Sequence, residues 1–127
     1  VGVEPWLPIG SDYPRVNVAA QMDDPNSIYN LYRNLIATRM ENVALKSGDY
    51  ESHDFHKGIF AYTRKGKKGD QNFGILLNFS SHEVDLEVPD VLHGRINIST
   101  TAREQVEEIG SHFAIRPHEG ILIELSN

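Results

Sequence analysis

The sequence predicts a mainly β protein: an antiparallel β-sandwich of Greek-key type preceded by one amphipathic α-helix. Three observations carry that expectation. Apolar residues recur at helical spacing only between residues 24 and 41. After Gly48 the pattern changes to short strand-like runs bounded by Gly, Pro, Asn and Asp. Those turn signals return roughly every eight to twelve residues, which is sandwich spacing rather than the spacing of alternating strands and helices.

The elements follow in order. Pro5, Pro8 and Pro14, with Pro25 just beyond, forbid a regular helix at the start, so an extended loop anchored by Trp6 and Leu7 is expected up to residue 23. Asp24 suits an N-cap and Pro25 the first helical position. From there Ile28, Leu31, Tyr32, Leu35, Ile36 and Met40 form one apolar stripe, and Arg33 and Arg39 suit the helix dipole. A connection over 42–47 ends at Gly48. About seven strands are expected beyond it. Residues 49–55 and 58–64 are the first two, and 64–70 is a glycine- and lysine-rich turn. Residues 72–79 are apolar almost throughout, as in a strand covered on both faces. Val84, Leu86 and Val88 alternate with acidic residues as far as Pro89, and 95–99 alternates through Ile96 and Ile98. Residues 100–110 are polar and read as a loop or solvated hairpin arm. Residues 112–116 and 121–125 close the fold around Pro117-His118-Glu119-Gly120.

With 127 residues the chain can bury a genuine core. A net charge of −6 opposes nucleic acid or an anionic membrane as the main partner, since both require a basic face. The sequence contains no cysteine, which excludes disulfides and thiolate metal sites and favours a cytoplasmic setting. No run of apolar residues is long enough to span a membrane. The opening Val1-Gly2-Val3 is neither a signal peptide nor a starting methionine, so a proteolytic or designed fragment of a longer chain is expected.

His53 and His56 are three apart but lie in a strand or turn, where they diverge, and no third ligand stands at metal-site spacing. His82, His93 and His118 sit at turns without a nucleophile partner. Paired carboxyls for glycoside hydrolysis need a shielded site. Asp23 and Asp24 are adjacent, and Glu104, Glu107 and Glu108 lie in the polar loop, so they do not read as such a pair. The segment 64–69 lacks the Ser or Thr and the following helix of a phosphate loop. No catalytic, cofactor-binding or metal-binding residue is assigned and no cofactor is expected. Trp6 with Tyr13, and Tyr50 with Tyr62, could stack on sugar rings, although aromatic side chains more often serve packing.

Four stretches carry a family resemblance: Pro5-Trp6-Leu7-Pro8 with Asn17-Val18, Gln21 and Asp24-Pro25-Asn26-Ser27; Tyr32-Arg33-Asn34-Leu35-Ile36 with Arg39, Leu45 and Gly48-Asp49-Tyr50; Phe60-Ala61-Tyr62-Thr63-Arg64 with Leu77-Asn78-Phe79-Ser80; and Ile115-Arg116-Pro117-His118-Glu119-Gly120. In this order they resemble the C-terminal portion of α-glucosidases and oligo-1,6-glucosidases of glycoside hydrolase family 13, within the α-amylase superfamily. The resemblance implies that residues 1–48 are the end of a (β/α)8 catalytic barrel, with its last helix at about 24–41, and that 49–127 are the C-terminal β-sandwich. It implies a parent that hydrolyses α-glucosidic bonds of small oligosaccharides with retention, through an Asp nucleophile, a Glu acid/base and a further Asp, all upstream of Val1. This chain would then be a non-catalytic support of the barrel. Its partners would be that barrel and, in the intact enzyme, an α-glucosidic oligosaccharide, with no nucleic acid and no membrane. Trp6 and Tyr13 would border the barrel mouth as the candidates for carbohydrate contact. The stripe on the helix would be exposed or hidden in a homodimer. The same pattern is similar to amino-acid transporter heavy chains, which gives the alternative of a non-enzymatic interaction subunit; a carbohydrate-binding sandwich is the other alternative.

Overall fold

The structure, a computed structural model, describes residues 2, 4–103 and 107–126. The chain forms two compact units, 1–34 and 35–127.

The first unit differs from the extended loop expected of its prolines. It contains a short helix, α1 (Val18–Asp23), capped by Asn17, whose Oδ1 accepts from the Ala20 N–H at 2.9 Å. Pro14 precedes the helix and so does not obstruct it. The next helix, α2 (Ile28–Glu41), begins later than expected. Asp24 Oδ1 accepts from the Asn26 N–H, closing a turn in which Pro25 sits outside the helix. Ser27 takes over as cap: its hydroxyl accepts from the Asn30 N–H at 3.2 Å. Gln21 fixes this entry, because its side-chain carbonyl accepts from the Tyr29 N–H and its backbone carbonyl accepts from Ser27 Oγ and Asn30 Nδ2.

The second unit takes in the last turns of α2 and then α3 (Val43–Ser47), one helical turn where a plain connection was expected. Gly48 follows it at a tight crossing, where a Cβ would stand 2.5 Å from the carbonyl oxygens of Ala44 and Lys65.

Among the described residues eight strands follow: β1 (Asp49–Ser52), β2 (Ile59–Lys65), β3 (Phe73–Asn78), β4 (Val84–Glu87), β5 (Gly94–Ser99), β6 (Glu108–Ile109), β7 (His112–Ile115) and β8 (Gly120–Leu125). Six form one antiparallel sheet in the order β1-β2-β3-β8-β5-β6, and β4 pairs with β7 in a second. The chain therefore leaves the large sheet after β3 and again after β6, and β8 returns between β3 and β5. This is the antiparallel sandwich the sequence predicts. Of the polar segment 100–110, read as a loop or solvated hairpin arm, Glu108–Ile109 pairs with β5 as β6, and residues 104–106 lie outside the described residues.

Period-two alternation sends Ile59, Ala61, Leu76, Ile121, Ile123 and Leu125 to one face of the large sheet. There they meet Leu86 of β4, Ile115 of β7, and Val88, Leu92 and Ile109 in one core. Phe73, Ile75 and Leu122 point to the other face, with Ala44 of α3. Both faces of β3 are thus covered, in keeping with its nearly unbroken apolar run.

At the end of the sandwich, Asn78 is a buried polar hub, 2% exposed. Its Nδ2 donates to the carbonyls of His82 and Arg116, both at 2.9 Å. Its Oδ1 accepts from the N–H and hydroxyl of Ser80. Asn78→Ala should cost about 3 kcal/mol, because buried carbonyls lose their donor. The midpoint of urea unfolding measures this, and a loss below about 1 kcal/mol would contradict the role given to the hub.

Candidate functional site

The surface with the strongest claim to function is the second face of the large sheet. Alternation and register place Tyr50 of β1, Phe60, Tyr62 and Arg64 of β2, Ile75 and Leu77 of β3, Leu122 of β8 and Ile98 of β5 on it. Helix α3 covers part of this face. Ala44 is fully buried there, and its carbonyl accepts from Arg64 Nε at 3.3 Å. Beside α3 the face opens into an apolar groove of about 330 Å³, floored by Tyr62, Ile75, Leu77, Ile98 and Leu122. Arg39, whose Nη1 donates to the Leu45 carbonyl, stands at the rim. Toward β1 the face carries aromatic rings: Tyr50 lies 5.2 Å from Tyr62 and Phe60 5.6 Å from Tyr62, centroid to centroid. Tyr50 and Phe60 are exposed.

Helix α2 presents a second apolar surface. Each of its residues is at least partly exposed, and its stripe residues Ile28, Tyr32, Leu35, Ile36 and Met40 are among the exposed large hydrophobics, Ile36 to 60%. Burying side chains of this size is worth roughly 1.5–3 kcal/mol each, a stabilisation the exposed stripe forgoes.

The residues singled out in the sequence are scattered. Trp6 is 90% exposed and Tyr13 is also exposed, both in the first unit. His53 Nε2 lies 3.1 Å from the Thr63 hydroxyl, while His56 Nδ1 is buried without a hydrogen-bond partner. Among the described residues no three His, Asp or Glu side chains group as metal ligands. His93 Nε2 bonds the Val88 carbonyl at 3.0 Å, and His118 occupies the turn before β8. The lysine-rich turn is closed on itself, with Asp70 Oδ2 accepting from the Lys67 N–H and Asn72 Oδ1 from the Gly66 N–H. Glu107 pairs with Arg103, Glu108 is exposed on β6, and Glu104 lies outside the described residues. Among the described residues, no helix is long and apolar enough to cross a membrane.

No family model matches the chain. Over 105 residues it is 34% identical to a glucan 1,6-alpha-glucosidase of Streptococcus pneumoniae, covering 83% of this chain and 19% of that protein. Its fold superposes on the trehalulose synthase of Pseudomonas mesoacidophila MX-45 with a TM-score of 0.81 at 27% identity, over 95% of this chain and 22% of that one. The chain belongs to the C-terminal portion of the α-glucosidase group in glycoside hydrolase family 13. An amino acid transporter heavy chain of Rattus norvegicus is also similar, 29% identical over 95% of this chain and 19% of its own. The chain thus spans about a fifth of the length of the relatives it matches.

In this α-glucosidase-type module the buried chemistry is one that sequence reasoning missed. Glu119, in the Ile115–Gly120 stretch that carries the family resemblance, is 1% exposed. Its Oε1 accepts from Ser99 Oγ, Thr101 Oγ1 and Arg103 Nε at 2.6–2.7 Å. Its Oε2 accepts from Arg103 Nη2 at 2.6 Å and from the Arg116 N–H at 2.8 Å. Arg103 is itself buried, with its guanidinium 4.8 Å from the Phe113 ring centre and a further bond to Glu107. Arg103 stands in a polar stretch sixteen residues from Glu119, so no local pattern announces the pair. Its neighbours Arg116, Pro117, His118 and Gly120 read as a polar turn, so no local signal marked its burial.

Burial pushes the Glu119 carboxyl up, but the hydrogen bonds from Arg103, Ser99, Thr101 and the Arg116 N–H outweigh it and hold the group at about 2, below its ordinary 4.5. A folded value below the unfolded one contributes stability in full above about pH 4.5 and loses it as pH falls toward 2. A shift of this size corresponds to about 3 kcal/mol. Glu119→Gln should therefore flatten the fall in thermal midpoint between about pH 5 and pH 2, relative to the unsubstituted chain. Parallel curves for the two proteins over that range would count against the assignment.

Proposed function

We propose that this chain is the non-catalytic C-terminal module of an enzyme that hydrolyses α-glucosidic bonds of small oligosaccharides, and that its role is to brace a (β/α)8 barrel of the same polypeptide. In this reading residues 1–48 complete the barrel, with α2 as its last helix, and 49–127 are the supporting sandwich. The observation that carries it is the open apolar stripe of α2, whose residues are of a size and number suited to a protein interior rather than to water. The apolar groove on the second sheet face adds to it. The names of the glucosidase relatives supply the substrate class. The catalytic carboxylates would be contributed by the barrel, in keeping with active sites assembled on loops at one end of barrel strands. The reading includes a cytoplasmic setting, which the cysteine-free sequence suits.

The test is complementation. The upstream barrel of the parent polypeptide, produced separately, should form a one-to-one complex with this chain in light scattering. Ile36→Asp should weaken that complex more than tenfold, since it places a charge in the stripe. This chain alone should release no p-nitrophenol from p-nitrophenyl α-glucoside above the buffer rate. A barrel that neither binds the chain nor gains stability from it would sink the bracing role. A concentration-dependent dimer abolished by Ile36→Asp would instead show that a second copy covers the stripe.

A second reading rests on the Tyr50, Tyr62 and Phe60 rings, whose partly exposed faces could stack on glucose units. Trp6 and Tyr13 would be the corresponding contacts in the first unit. Maltoheptaose titration separates the two sites: shifts at Tyr50 and Tyr62 mark the sheet face, and a change in Trp6 fluorescence marks the loop. No response at millimolar sugar removes both.

A further inference from the structure

We propose that Glu119 is the fastener of a strap, Thr100–Arg103 together with the turn Arg116–Gly120, that opens as a unit apart from the rest of the sandwich. Thr100–Arg103 and Arg116–Glu119 lie outside the sheet ladders, and Gly120 opens β8 opposite Leu77 of β3. Cross-bonds join its two halves, and the turn is also tied to Asn78 and Ser80, through the Asn78 N–H on the Glu119 carbonyl, Asn78 Nδ2 on the Arg116 carbonyl and the His118 N–H on the Ser80 carbonyl. The Thr100 N–H donates to the Gly120 carbonyl, and the Gly120 N–H donates to Thr100 Oγ1, both at 2.9 Å. Arg116 Nη1 reaches back to the Ala102 carbonyl at 3.0 Å. The Glu119 carboxylate stands where the halves meet and accepts from both: Thr101 and Arg103 on one side and the Arg116 N–H on the other.

The turn also stores strain. His118 has φ of 53°, in the left-handed region, which costs a residue with a Cβ roughly 1–2 kcal/mol. Such a conformation persists only when its neighbours over-determine it. Here the His118 N–H donates to the Ser80 carbonyl, and the Glu119 carboxylate accepts from the Arg116 N–H, two residues before His118. Removing the carboxylate therefore releases a strained turn and unties the other half in one step. The central strands are held differently, by ladder bonds and apolar packing of Leu76, Ile121 and Ile123 that do not involve the carboxylate. The opening free energy of the strap should thus depend on Glu119, and that of the sheet should not. Thr100 and Gly120 also line the groove of the second sheet face, so the strap sets the shape of one end of it.

Native-state hydrogen exchange on this chain tests the inference. In Glu119→Gln the amides of Thr100, Thr101, Arg116 and Gly120 should exchange more than tenfold faster, while those of Leu76 and Ile123 keep their rates. Thr100 and Gly120 are the decisive pair, because neither amide bonds to the carboxylate. Arg103→Lys, which keeps the charge but loses the two-pronged contact, should give a smaller acceleration of the same four amides and covers the case in which Glu119→Gln does not fold. Acceleration confined to Arg116 would overturn the strap as a unit. Equal acceleration of Leu76 and Ile123 would overturn its independence from the sheet.

Discussion

The structure depends on one constraint: its central strands are apolar on both faces, and each face must be shielded from water. Strand β3 shows it most plainly. Leu76 points into the core between the sheets, while Phe73 and Ile75 point the opposite way. The first face is closed by just two strands, β4 and β7, with Val88, Leu92 and Ile109 filling the margins. The second face has α3 and then an open groove. The large sheet thus shields one face with its own chain and leaves part of the other open to water. Hydrophobic burial is proportional to area and indifferent to connectivity, so a neighbouring domain serves as well as another strand would.

That constraint also explains what could be read in the sequence. Strands with a simple environment were legible. Val84 and Leu86 alternate with acidic residues because β4 has one wet face, and 72–79 is continuous because β3 has none. Features set by contacts between residues distant in sequence were not. The start of α2 depends on Ser27 and on Gln21 reaching across from α1, which outcompete the locally reasonable Asp24-Pro25 start. Helix α1 itself has no buried residue and an apolar content too slight for a periodic signal. Strand β6 is two residues long, below what any pattern can mark. The exposed apolar surface was only half legible: the helix stripe was plain from spacing, but the groove is made by side chains of four strands and appears only once register is fixed.

Asn78 and Glu119 belong together in this account. The ladder satisfies backbone groups within the sheets, but loops that pass between sheets leave buried N–H and C=O groups without ladder partners. Both hubs stand at such crossings. Asn78 holds the departure from β3 and Glu119 the return into β8, and they are joined directly, because the Asn78 N–H donates to the Glu119 carbonyl at 2.9 Å. A buried charge pair such as Arg103 with Glu119 need not be more stable than an apolar substitute. Its advantage here is geometric. One carboxylate gathers five donors from two chain segments, which no apolar side chain of that volume could orient.

The same accounting bears on where function lies. A catalytic group must keep unused capacity, such as a proton to move or a lone pair to offer, and must face a place where substrate can sit. Glu119 has the buried position and shifted acidity that often mark an active-site acid, yet its oxygens are occupied by five donors and its proton is held off down to about pH 2. A carboxyl so saturated is a poor acid and a poor base at neutral pH. Its perturbation reports architecture rather than chemistry. The unspent capacity of this chain is of the opposite kind: Ile36, Met40, Leu77 and Tyr50 offer apolar area rather than protons. A surface of that composition gains free energy by losing contact with water, and it offers no group for proton transfer.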